Sequence, residues 1–291
     1  MIKSRDYHGF PNCLELSNDV VKLVISTDFG PRILSYSFDG GENILGWHPD
    51  AAVETSLGTW KPYGGHRLWR APENMPLSYA PDNGPVAYEI INESRVSLTQ
   101  DTDPHSQIQK EITVSLEHTG SRVSLDHRLT NRGDTSIEIA AWALTIMRPG
   151  GEVIVPNEPF APYSPETLLP VRSMTLWSYT DFTDPRWSFE KDCIKLRVDE
   201  SIDSQQKLGV LNKKGWAAYK RQDTLFVKRF ACEEDAVYPD MNSNNEVYTA
   251  GGFVEIETLS PLVTLTPGRA VEHAEEWKLH AGVTDFRSLL F

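Results

Sequence analysis

Between residues 111 and 146 the side chains alternate apolar and polar with a period of two. Ile112, Val114 and Leu116 are separated by Glu111, Thr113 and Ser115, and Val123, Leu125, His127 and Leu129 by Ser124, Asp126 and Arg128. Asn131-Arg132-Gly133-Asp134 then reads as a turn, and Ile137, Ile139 and Ala141 begin a returning run. Successive side chains of a strand point to opposite faces, so these are strands with one buried face, as antiparallel hairpins have. His127 falls on the apolar side and reads as a core histidine with its nitrogens satisfied.

The same pattern recurs elsewhere. Val20–Ile25 is β-branched, and in the next run Leu34, Tyr36 and Phe38 share one face. Later strand-like pieces are 194–198, 208–210, 215–219, 224–230, 246–249, 253–259 and 274–279. No period of 3.6 competes with them, and only residues 285–291 read as helical. The fold class is all-β, with antiparallel sheets.

Two stretches break the alternation. Residues 46–85 are rich in Gly, Pro and aromatics and read as an ordered loop system. His66, Arg67, Trp69, Arg70 and Glu73 are its polar and stacking groups, and Arg67 with Glu73 would form an ion pair if the loop were purely structural. Residues 147–190 hold seven of the 19 prolines together with Trp177, Tyr179 and Trp187. Linkers are rarely so aromatic, so residues 1–291 read as one domain.

A formal charge of −13 argues against nucleic acid or an anionic membrane as partner. No apolar run reaches the roughly 18 residues of a membrane-spanning helix, and the first residues lack the apolar core of a signal peptide. Cys13, Cys193 and Cys232 are sparse and follow no metal pattern, which fits a reducing cytoplasm. No phosphate-binding glycine loop, hydrolase nucleophile elbow or metal-spaced histidine pair is present. The expectation is therefore no metal and no cofactor, with a small neutral polyol as partner. The sequence leaves the oligomeric state open.

Residues 253–268 carry the most chemistry. In a strand, Val254, Ile256 and Thr258 share one face, and Phe253, Glu255, Glu257 and Leu259 share the other. The two carboxylates would sit about 7 Å apart. Their repulsion and a partly apolar wall would raise the pKa of at least one, as suits a general acid or base.

Several segments, in order along residues 13–280, resemble the galactose mutarotase-like (aldose 1-epimerase) superfamily, and its bacterial branches more than the galactose enzyme. Leu16 to Asp19 and Phe29-Gly30-Pro31-Arg32-Ile33 are similar to its opening strands. Gly64-Gly65-His66-Arg67-Leu68-Trp69 resembles the loop that sets an arginine on sugar hydroxyls. Glu257-Thr258 resembles the Glu-Thr of its general base, and Leu265 to Gly268 with His273 and Trp277 resembles its closing strands. The resemblance implies a large antiparallel β-sandwich with a concave sugar site and a cofactor-free anomer interconversion. It implies Glu257 as base and Arg67 on hydroxyls. Around these, Trp69 or Trp142 would stack on the sugar, with Glu255, Asp240, Lys207 and Lys228 at the rim. The family's histidine pair is missing: Ala140 to Thr145 and residues 86–92 contain no histidine, which leaves His66 as the substitute acid. For Lys228 the competing reading is a solvated strand face. Two other functions remain open, a non-catalytic sugar-binding protein and a glycoside hydrolase or lyase. The last needs Glu73 as second carboxylate, about 5–10 Å from Glu257.

Overall fold

The computed structural model of the chain describes residues 1–290. Among them the chain forms one 11-stranded and one 10-stranded sheet plus two small two-stranded ribbons. The expected alternation is present: Ile108–Leu116 and Val123–Asn131 bury every second residue over most of their length, and they pair antiparallel with Ile112 opposite His127. The inner faces of the two large sheets share one apolar core. Leu23, Ile33, Leu68, Val254 and Ile256 from the first sheet pack in it with Leu125, Tyr219, Phe226 and Trp277 from the second.

The centre of the larger sheet positions the site. Its strands run in the order Arg32–Phe38, His66–Ala71, Ile137–Met147, Phe253–Leu259, Asn245–Ala250, Gln206–Val210. All the neighbouring pairs are antiparallel.

The stretch 46–85 departs from its reading as loops. It contains four short strand pieces, and His66–Ala71 is a central strand of the large sheet. Gly64 and Gly65 look like loop punctuation, but they sit where backbones touch. A β-carbon on Gly65 would lie 2.0 Å from the carbonyl oxygen of Ile33, and Gly65 has φ +67°. Glycine here permits close strand approach. At the C-terminus Arg287–Leu290 is helical, while Phe291 lies outside the described residues. Among the described residues no helix is long and apolar enough to cross a membrane.

Candidate active site

Strand alternation sends Phe253, Glu255 and Glu257 to the face turned away from the second sheet, while Val254 and Ile256 enter the shared core. On that outer face lies a cleft of about 570 Å³. Register builds its floor. Leu144 is opposite Arg67 on one side and Glu257 on the other. Glu246 is opposite Glu257, and Tyr248 is opposite both Glu255 and Lys207. The irregular 47–80 segment supplies one wall with Trp60, Glu73, Tyr79 and His48.

The charges are paired. Arg67 donates from Nη1 to Oε1 of Glu255 at 2.8 Å, and its guanidinium lies 4.5 Å over the ring of Trp69 and 5.3 Å over that of Trp60. It does not pair with Glu73, whose carboxylate instead accepts from the Tyr79 hydroxyl. Oε2 of Glu257 accepts from Trp142 Nε1 at 2.9 Å and from Lys207 Nζ at 3.0 Å. The same ammonium is 2.8 Å from Oε2 of Glu246, though off the line of a hydrogen bond, so neither Glu246 oxygen has a hydrogen-bond partner. Lys207 also lies over the rings of Trp142 and Trp177, at 4.6 and 4.8 Å.

Burial raises the pKa of Glu257; the Lys207 charge opposes the rise and Glu255 adds to it. Glu246, fully buried, is pushed well above the usual carboxylate range by desolvation, against the pull of Lys207 and with the added push of Glu257 and Asp240. For Lys207 burial disfavours the charge, but Glu246 and Glu257 outweigh it and hold the ammonium protonated. His48 is lowered by desolvation, with Glu255 pulling partly the other way. Four polar atoms on the cleft residues lack partners: His48 Nε2, Trp60 Nε1, Arg67 Nε and Trp69 Nε1.

Of the residues singled out in the sequence, Glu257, Glu255, Arg67, Trp69, Glu73, Trp142 and Lys207 line this one cleft. His66, Lys228 and Asp240 do not. His66 is fully buried on the opposite face of its strand. In a loop His66 and Arg67 could share one cleft; in the strand His66–Ala71, neighbours point apart. Lys228 is neither at a sugar rim nor solvated: it is fully buried between the sheets, 2.9 Å from Glu275. Asp240 sits half-buried in the turn Pro239–Asn242 at φ 49° and reaches the site only through its field on Glu246.

His66 and Lys228 belong to a buried network whose hydrogen-bond directions fix its protons. His127 Nδ1 donates to the His273 carbonyl at 2.9 Å, so its Nε2 accepts from His66 Nε2 at 2.8 Å. His66 Nδ1 therefore accepts from the Thr145 hydroxyl at 2.8 Å, which in turn accepts from Lys228 at 2.7 Å. Glu275 accepts from Lys228, Thr258 and Trp277 Nε1, and Thr258 accepts from His273 Nε2 at 2.7 Å. Every bond is satisfied with all three histidines neutral. Potential metal-ligand atoms of His66, His127 and Glu275 come within 4.8 Å of one another. Lys228 already supplies the cation there, which disfavours a metal ion.

The sequence reading missed His48, Glu246 and Tyr248. Glu246 and Tyr248 carried a signal, since they alternate on a strand-like piece as Glu255 and Glu257 do. Only pairing of those two strands puts all four together.

No protein-family model matches the chain, and no curated protein matches it in sequence. In fold it is similar to a galactose mutarotase-like protein from Lactobacillus casei, with TM-score 0.59 and 12% identity over 92% of this chain and 100% of that one. A candidate aldose 1-epimerase from Klebsiella pneumoniae superposes with TM-score 0.60 and 13% identity over 95% of this chain and 82% of that one. A TPR-domain containing protein from Parabacteroides distasonis gives TM-score 0.63 and 17% identity over 95% of this chain but 48% of its own. The chain thus has the galactose mutarotase-like β-sandwich fold.

Proposed function

We propose that the protein is an aldose 1-epimerase-like isomerase that interconverts the anomers of a free sugar by proton transfer. The observation that carries this reading is Glu257, a buried carboxylate held by Lys207 and Trp142 at the floor of an aromatic-walled cleft that also contains His48. Glu257 takes the proton of the anomeric hydroxyl as the ring C–O bond breaks, and the ring oxygen takes a proton from His48 in its imidazolium form. The open-chain aldehyde turns about C1–C2, and the steps reverse on its other face. Arg67 lines the cleft and offers guanidinium donors to sugar oxygens, and Trp60, Trp69 and Trp142 supply apolar surface. The cysteines are unpaired, which supports a reducing compartment such as the cytoplasm.

A glycoside hydrolase is the second reading, because Glu73 brings another carboxylate to the same cleft. Equilibration of α- and β-anomers, followed by optical rotation across a panel of aldoses, tests the first reading. Release of a reducing end from glycosides with no effect on free aldoses would favour the second.

A further inference from the structure

We propose that Glu246 and Glu257 hold one proton between them over the single ammonium of Lys207, and that Glu246 carries it while Glu257 meets the substrate. Glu246 is then a positioning residue. The kinetic part rests on the acid–base reading above; the protonation itself does not.

Lys207, Glu246 and Glu257 are each at least 95% buried. With both carboxyls ionised the trio carries a net −1 away from water, and one added proton brings it to zero. Uncompensated buried charge costs several kcal/mol, so taking up the proton is favoured. The surroundings offer little relief: Lys228, from the second sheet, is within the field of Glu257 and Glu255 but is paired with Glu275. Glu255 on the Phe253–Leu259 strand is committed to Arg67. Asp240, in the turn beside the Asn245–Ala250 strand, is another acid. Tyr248 on the same strand and Tyr179 from the facing loop bring phenols to the cleft; burial raises both, Tyr179 to about 12. Lys207, on the Gln206–Val210 strand, is the one cation against Glu246 among the described residues.

Hydrogen bonds decide which carboxyl carries the proton. Glu257 accepts from an indole N–H and an ammonium, both of which stabilise a carboxylate. Glu246 accepts none of proper geometry. The proton therefore rests on Glu246, which adjoins the cleft floor without lining it.

This arrangement has a consequence for catalysis. A neutral Glu246 leaves the charge of Lys207 to Glu257 and to the oxyanion that develops as Glu257 takes the substrate proton. An ionised Glu246 would draw that charge away. The alkaline limb that His48 begins should then steepen as Glu246 loses its proton.

Infrared difference spectra of the whole chain, wild type minus Glu246→Gln, test the protonation directly. At neutral pH a protonated-carboxyl C=O band is expected in the wild type, bleaching in alkali and absent from the variant. Glu246→Met serves where the amide variant does not fold, since it also removes the proton carrier without adding charge. Carboxylate bands alone at neutral pH would overturn the proposal. In kinetics, Glu246→Gln should lose that added steepness while keeping the acid limb and the alkaline limb that His48 sets; an unchanged profile would reduce Glu246 to a packing group and overturn its positioning role. A band present while no aldose is converted would uphold the shared proton and defeat the isomerase reading instead.

Discussion

His66 and Arg67 are adjacent in sequence and serve opposite faces of one strand: the guanidinium of Arg67 bonds Glu255 in the cleft, and the imidazole of His66 bonds His127 between the sheets. The division separates residues that line the cleft from residues that hold the sheets together.

The histidine network makes stability depend on pH. Burial lowers the pKa of His66, His127 and His273, that of His273 to about 3. Above pH 6.5 both folded and unfolded chains keep these rings neutral, and the stability is fully present. As pH falls below 6.5 the unfolded chain takes up protons that the core refuses, so stability drops, by up to about 4 kcal/mol per pH unit for three rings. Urea midpoints should fall between pH 7 and 5, and His273→Gln should remove about a third of the slope. A flat midpoint over that range contradicts the assignment.

Lys207→Met leaves Glu246 and Glu257 buried without their cation. Breaking one side of a buried ion pair typically costs about 3–5 kcal/mol. The loss should shrink as pH falls, because protonating Glu257 relieves it. Chemical denaturation at pH 8 and pH 5 measures both effects; equal losses at the two values would show that the ion pairs are not the cause.

The pH–rate profile should be bell-shaped, with its maximum on the acid side of neutrality. Glu257 must be ionised to act as base, and its pKa is raised; His48 must be protonated to act as acid, and its pKa is lowered. The two titrations therefore converge and narrow the active window. His48→Gln should cost about 10²–10⁴ in rate and remove the limb that His48 sets. Retention of both limbs would remove His48 from the chemistry.

Among the described residues lining the cleft, Arg67 and Lys207 both face carboxylates already. Above neutrality, where its lowered pKa leaves His48 uncharged, a phosphate dianion would find no free cation and would meet Glu73, Glu255 and Glu257. Calorimetry should show a 6-phosphorylated hexose binding more weakly than the free hexose; tighter binding would contradict this charge reading.

The sheets were legible in the sequence because one buried face writes itself as a period of two, as Ile112 to Leu129 show. The shared face of Glu255 and Glu257 follows from the same rule. Strand order across the sheet was not legible: Glu246 gains its meaning from lying opposite Glu257, a non-local pairing. His66 was misplaced because the glycines before it, Gly64 and Gly65, mark close backbone contact as well as turns. Lys228 was misread because its partner, Glu275, comes from another strand of the second sheet.

The central claim is that Glu257 acts as base on a bound sugar, and Glu257→Gln tests it most directly. Anomer interconversion and sugar affinity are measured side by side for the wild type and the variant. The amide keeps the size and still accepts a hydrogen bond, so affinity should change little while the rate falls by about 10²–10⁴. A variant as fast as the wild type, or a wild type that binds a sugar without speeding its anomers, would contradict the account.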